Sequence, residues 1–181
     1  MNSSALAADD LRYPIGQYCP PASVGRAERD AWIAELEKLP GNLRNAMEGL
    51  RDAQLDTPYR PGGWTIRQIG HHIADGHLNS YTRFRLALTE ETPTIKPFEV
   101  DAWSELPDAK SGPIAPSLGM LDALHRRWVM LLRSLSDDDF KRSYVHPSGE
   151  LVTLDRALSY FAWHSRHHVA QILSVRKREG W

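Results

Sequence analysis

Eight histidines and a single cysteine set the chemistry open to this chain. Six of the histidines fall in two short runs: His71, His72 and His77, then His164, His167 and His168. His164 and His168 are spaced i,i+4, so on a helix both imidazoles leave one face about one turn apart and can bind one ion together. The apolar periodicity of Leu154, Ala157, Leu158, Phe161, Ile172 and Val175 includes that pair on the buried side and turns His167 away. Two buried imidazoles are costly unless partnered, and a divalent ion satisfies both at once. A pair of hydrogen-bonded core histidines is the plainer alternative. The first run can present a third ligand from across a bundle. There the core side is marked by Ile66, Ile69, Ile73, Ser80 and Phe84, with His77 near its centre, His72 at one flank and His71 nearly opposite. Periodicity therefore favours His77 slightly over His72 and excludes only His71. Asp75 could orient a ligand or serve as a base; a solvated or capping carboxylate is the simpler role for it.

The elements that must position these side chains follow from the same string. The prolines between Leu11 and Val24, in Tyr13-Pro14-Ile15-Gly16 and Cys19-Pro20-Pro21, rule out a helix. Residues 1–25 are expected to form an extended arm lying on one domain, residues 26–181. From Arg26 to about Leu55, Trp32, Ile33, Leu36, Leu39, Leu43, Met47 and Leu50 recur at helical spacing, and Pro40-Gly41 should kink or divide this helix. Thr65 and Gln68 form a capping box opening a second helix that runs to about Thr89, with Trp64 packed back as a staple. Pro93, Pro97, Pro107 and Pro113 make residues 91–116 a long connection. Ser117 should cap a third helix through about Leu135, Ser136 opens an acidic turn, and Thr153 caps a fourth helix ending near Lys177. Between them Tyr144 to Thr153 reads as a small hairpin. The fold expected is all-α: a four-helix bundle with a long connection between helices 2 and 3, a small β-hairpin before helix 4, and its site between facing helices.

Composition removes several classes. A chain of 181 residues suits one domain. Lys plus Arg is 22 against 23 Asp plus Glu, with a pI near 6.7, so the overall positive field of a nucleic-acid binder is missing. The one basic run, Arg176-Lys177-Arg178, suits the C-terminal end of a helix dipole. One cysteine excludes an internal disulfide and any thiolate cluster, which fits a reducing cytoplasm. Met1 to Asp10 has neither the cationic nor the apolar region of a secretory leader, and no apolar run reaches the roughly eighteen residues a membrane span needs. The expectation is a soluble cytoplasmic protein with a small-molecule substrate and neither nucleic acid nor membrane as partner.

The run from Trp64 through Gly70-His71-His72-Ile73-Ala74-Asp75-Gly76-His77 to Tyr81 resembles the second-helix motif of the DinB/YfiT-like metalloenzymes, and Trp163-His164-Ser165-Arg166-His167-His168 resembles its partner motif. Tyr13-Pro14-Ile15-Gly16, Leu55-Asp56-Thr57-Pro58-Tyr59-Arg60 and Trp103-Ser104-Glu105-Leu106 extend the resemblance over nearly the whole chain. It is nearest the YfiT branch, described as metal-dependent hydrolases and including bacillithiol transferase. The resemblance implies up-down-down-up helix order, a homodimer, and one divalent ion per subunit, zinc first and nickel next. It assigns the ligands to His72, His164 and His168, and it overrules the narrow preference for His77, which becomes a core or pocket-lining residue.

An ion held by three neutral imidazoles keeps its full charge and an open position, so it can acidify either a water or a thiol placed there. The first option makes a metal-dependent hydrolase. The second makes a thiol S-transferase that conjugates a low-molecular-weight thiol, arriving as cosubstrate, to electrophiles. Arg67, Arg83, Arg85 and Arg166 are candidates to bind an anionic thiol, with surface positions the simpler reading of each, and Cys19 belongs to no motif. Tyr81 and Trp163 either line a pocket or pack, and His125 and His146 are expected to be structural or exposed. The reading from a different class is a non-catalytic, metal-stabilised stress-response bundle. Three imidazoles suit zinc, nickel, iron or copper, so the donor set alone does not name the metal.

Overall fold

The computed structural model describes residues 11–181; the segment expected to lack a leader, residues 1–10, lies outside the described residues. Four long helices, α1 (Arg26–Met47), α3 (Ile66–Thr89), α6 (Ala115–Ser134) and α8 (Leu154–Glu179), form the bundle. Short helices fill the connections: α2 (Asp52–Leu55), α4 (Val100–Ser104), α5 (Pro107–Ser111) and α7 (Asp137–Lys141). A two-stranded antiparallel hairpin, β1 (Ser143–Val145) and β2 (Leu151–Thr153), pairs Tyr144 with Val152 just before α8, where the sequence places it.

The helices start where side chains can satisfy their first N–H groups. Thr65 Oγ1 accepts from the Gln68 N–H at 3.1 Å while Gln68 Oε1 accepts from the Thr65 N–H at 2.9 Å, the expected capping box of α3. Thr153 Oγ1 caps α8 by accepting from the Arg156 N–H at 3.3 Å, and the helix ends at Glu179, two residues beyond Lys177, with Gly180 at φ 73° as its left-handed cap. Three expectations are corrected. The first helix is not divided at Pro40; it runs unbroken to Met47, and the next turn is the separate α2. Ser117 does not cap the third helix, which begins earlier, at Ala115, with Pro116 in its first turn where a missing N–H costs nothing. The connection read as non-helical contains two short helices, α4 and α5, whereas the acidic turn opens at Ser136 as expected, as the capped helical turn α7.

Two apolar clusters reveal the direction of each helix. One gathers Ile33 and Leu36 of α1, Phe84 and Ala87 of α3, Val129 and Leu132 of α6, and Leu154 and Leu158 of α8. The other gathers Leu43 and Met47, Ile66 and Ile69, Leu118 and Leu121, and Ile172 and Val175. The first half of α1 and of α8 thus lies at the end where α3 and α6 finish, so α1 and α8 run one way and α3 and α6 the other. This is up-down-down-up order. Both α1 and α3 pack on α6 and α8, leaving α1 and α3 across one diagonal. The connection from α3 to α6 can span the bundle because it is long.

Of the segment read as an arm, residues 13–25 contain no helix, and contacts from residues 12–18 run along α8. Tyr18 Oη meets Ser159 Oγ at 2.6 Å, the Trp163 indole N–H donates to the Gly16 carbonyl at 3.2 Å, and Gln171 Nε2 donates to the Arg12 carbonyl at 2.9 Å. Elsewhere buried arginines tie elements together: Arg29 of α1 is gripped by Asp155 and Asp137, and Arg67 of α3 by Asp56 and Asp52. No helix among the described residues is long and apolar enough to cross a membrane.

Candidate metal centre

Between the two apolar clusters the bundle has a polar middle layer. His72 and His77 come from α3, His125 from α6, and His164 and His168 from α8, and all five are buried. One nitrogen from each of His72, His164 and His168 falls within 4.8 Å of the other two, close enough for a single ion. His72 Nε2 and His164 Nε2 are 3.2 Å apart. His77 does not join them. Its Nε2 meets the opposite nitrogen of His164, Nδ1, at 3.2 Å, which places it behind a ligand candidate. The histidine that periodicity slightly favours, His77, thus stands outside the cluster, and His72, five residues earlier, is the one grouped with His164 and His168.

The hydrogen bonds around the triad fix where its protons sit. The Leu36 carbonyl can only accept, so His125 Nδ1, 2.6 Å away, carries a proton and donates. Burial pulls the His125 pKa down to about 4, so the ring is neutral at pH 7 and its Nε2 must accept. The donor is His77 Nδ1, at 3.0 Å. Burial, with neighbouring histidines, holds His77 well below the usual range too, so its Nε2 accepts from His164 Nδ1. The lone pair of His164 therefore lies on Nε2, facing the triad centre. A second chain works on His168. Gln171 gives its amide N–H groups to the Arg12 carbonyl and to His167 Nε2, so its oxygen faces His168 Nδ1 at 2.8 Å and leaves the His168 lone pair on Nε2. Both tautomers are dictated by main-chain carbonyls that can only accept.

Pro40 explains why the Leu36 carbonyl is free. In a regular helix that oxygen would receive the N–H of residue 40, and proline has none. The residue expected to break the first helix instead releases the carbonyl that anchors the histidine chain.

The donor set fits a divalent metal. Burial lowers the His72 pKa to about 4 and holds His164 and His168 well below the ordinary value, with the mutual repulsion of protonated neighbours adding to it. Three uncharged imidazoles, two of them with tautomers set from behind, converge without a carboxylate among them. This is the second-layer support that metal-ligating histidines generally have.

The triad opens on a cavity of about 1040 Å³. Trp64 packs on His72 with ring centroids 4.7 Å apart, and Phe98 stacks on the same ring at 6.4 Å. The staple residue thus serves the site as well as the helix start. Trp163 lines the cavity and stacks on His167 at 4.5 Å, whereas Tyr81 packs in the core against Trp128. His167 is buried against the arm, and His71 bonds Ser117 Oγ at 2.7 Å beneath the connection, so neither points to solvent. His146 holds the hairpin turn, its Nδ1 accepting from the Ser148 N–H at 3.3 Å, and also borders the cavity. Asp75 lies outside the lining; burial and Asp108 push its carboxyl up to about 6. Cys19 is exposed and also lies outside the lining. Sequence reasoning missed His125, Gln171 and the role of Pro40. His125 follows Leu121 by one turn in the buried stripe of α6, and that position was the available signal.

A family model for the DinB superfamily matches residues 26–172. "Putative metal-dependent hydrolase YfiT" of Bacillus subtilis (strain 168) is 51% identical over 177 residues, covering 97% of this chain and 99% of the relative. A relative from Bacillus cereus, also described as a "Putative metal-dependent hydrolase", is 51% identical over 173 residues, 96% of this chain and 99% of its own. The solved structure of YfiT from Bacillus subtilis, described as having an unusual four-helix bundle topology, superposes with a TM-score of 0.93 over 95% of this chain and 99% of that one. Fold, sequence and helix order agree: this chain belongs to the DinB superfamily.

Proposed function

We propose that this protein is a metal-dependent hydrolase of small molecules, with His72, His164 and His168 as the ligands of one divalent ion. The observation that carries this reading is the convergence of three neutral imidazoles within 4.8 Å at the wall of a cavity of about 1040 Å³. The relatives' description as metal-dependent hydrolases supports it. Bound there, a divalent ion supplies Lewis acidity at an open coordination position. The chain's own residues do the rest. His77 and Gln171 hold ligand tautomers, while Trp64, Phe98 and Phe161 line the cavity with apolar rings that can pack on a substrate.

One observation favours a second reading, thiol S-transfer. The carboxylates lining the cavity among the described residues are Glu99, Asp101 and Glu150, and none is hydrogen-bonded to the triad. Hydrolysis by an activated water gains from an adjacent general base, whereas a thiol needs only to lose its proton on binding. With Cys19 outside the cavity, the thiol would come as a cosubstrate.

Cobalt-substituted protein separates the readings. A new sulfur-to-cobalt absorption band on adding small thiols, followed by conjugation of an electrophile, supports transfer. Turnover of esters or amides without thiol supports hydrolysis. Neither activity, together with a fold that melts on metal removal, supports the stress-response bundle. We place zinc first and nickel next as the resident metal, to be decided by metal analysis of the purified protein, and a homodimer is the expected assembly on sizing.

A further inference from the structure

The cavity has a second polar end. On α8, Arg156, Tyr160, His164 and His168 follow one another at i,i+4, so one row of side chains runs from a guanidinium to the triad. On α3, His72, Gly76 and Arg83 line the same cavity, and eleven residues return to almost the same face about three turns, or about 16 Å, further along. Gly76 keeps the floor between them low, with no side chain to divide the space. The cavity is therefore a trough with the imidazoles at one end, Tyr160, Phe161 and Phe98 along its walls, and arginine at the other.

Arg83 differs from every other arginine that is not exposed. Arg29 and Arg67 each hold two aspartates, and Arg156 holds Glu150 at 2.5 Å. Arg60, Arg142 and Arg176 donate to main-chain carbonyls. Arg83 is half-buried and forms no ion pair among the described residues; it faces the Tyr144 hydroxyl, with Tyr160 nearby. The other carboxylates of the lining, Glu99 and Asp101, do not pair with it. A guanidinium stays charged in proteins, and a charge withdrawn from water without a counterion costs the fold. Burial accordingly pulls the pKa of Arg83 down, and the two tyrosines only partly offset this.

We infer that Arg83 is the anion subsite of this cavity and that the substrate carries a carboxylate there, its reacting group lying toward His72, His164 and His168. This rests on the proposed metal-dependent function and adds the substrate class. A carboxylate fits better than a phosphate, because one planar fork is free and the neighbouring Arg156 is already neutralised by Glu150. The aromatic walls suit an apolar linker between the two ends.

The test is calorimetric titration of the purified protein with 3-phenylpropionate and with its neutral amide, alongside metal analysis of each sample. The wild type should bind the carboxylate about tenfold or more tightly than the amide, as expected for a charge-assisted fork. Arg83→Gln should lose that preference and Arg83→Lys should keep part of it, with helical content and melting checked by circular dichroism. His72→Ala should lose metal yet retain the preference. Equal binding of acid and amide by the wild type, or an undiminished preference in Arg83→Gln, would overturn the inference. So would loss of the preference in His72→Ala, since the carboxylate would then be sitting on the metal. Metal retained in His72→Ala would instead count against the ligand assignment and leave Arg83 standing.

Discussion

Replacing His125 with phenylalanine should weaken metal binding although His125 is two residues removed from the ligand shell. The wild-type chain runs from the Leu36 carbonyl through His125 and His77 to His164, with separations of 2.6, 3.0 and 3.2 Å. Phenylalanine keeps the buried ring but cannot accept from His77 Nδ1. His77 can then move its proton to Nε2, where it opposes the proton on His164 Nδ1, and His164 relieves the clash by protonating Nε2. That nitrogen is the one the metal needs. Binding must reverse both shifts and leave the His77 Nδ1 donor buried and unpaired, a cost of about 1 to 3 kcal/mol. At 1.4 kcal/mol per tenfold, the dissociation constant rises about five- to 150-fold. Competition against a chromophoric chelator measures this, and nitrogen-15 spectra of the imidazoles report the tautomers directly. His125→Gln, which can both donate to Leu36 and accept from His77, should stay close to wild type. Trp128→Phe, a change beside the chain but not in it, should lower stability and spare affinity. A folded His125→Phe protein that binds zinc as tightly as wild type would refute the argument.

Three further outcomes follow from the same structure. Pro40→Ala restores an N–H that shares the Leu36 carbonyl with His125; as the hydrogen bond in question is worth about 1 kcal/mol, metal affinity should fall by up to about fivefold even as helix propensity improves, and unchanged affinity by chelator competition would show that the carbonyl serves both donors fully. Asp75, with its carboxyl raised to about 6 by burial and Asp108, keeps a proton in the fold that the unfolded chain loses near pH 4, so stability falls as pH rises through that window and the ionised group is destabilising at pH 7. Two units correspond to about 3 kcal/mol at most, reduced to about 1 by its half-exposed position; Asp75→Asn should raise the melting temperature at pH 7.5 and barely at pH 4, and an equal gain at both would exclude this cause. Chelation of an ion present at a hundred times its dissociation constant removes about 2.7 kcal/mol, a drop of about 5 to 10 °C in melting temperature. The chain should still melt cooperatively, because apolar clusters flank the polar layer on both sides; loss of the transition altogether would mark the metal as structural.

The parts of this molecule governed by local rules were legible in the sequence. Thr65 and Gln68 announce the start of α3, Thr153 that of α8, and the turn at Gly149 the hairpin, since each depends on neighbours within a few residues. The i,i+4 pair His164 and His168 was readable for the same reason. The choice between His72 and His77 was not, because it depends on how α3 is rotated against α8, and the apolar stripe of one helix does not fix the position of the bundle axis. Resemblance to a family supplied that choice. Pro40 was misread because its cost was weighed against its own helix, whereas the freed Leu36 carbonyl is taken up by His125 of α6. Ser117 likewise looked like a cap and proved to be a partner of His71. In each case the deciding partner lies far away in sequence.

The central claim is that one ion is held by His72, His164 and His168. Anomalous diffraction from zinc-loaded crystals, collected on the two sides of the zinc edge, tests it most directly. The account predicts a single peak about 2.0 to 2.1 Å from Nε2 of each of the three imidazoles. A peak whose nearest nitrogen belongs to His77 or His167, or no peak within the triad, would contradict it.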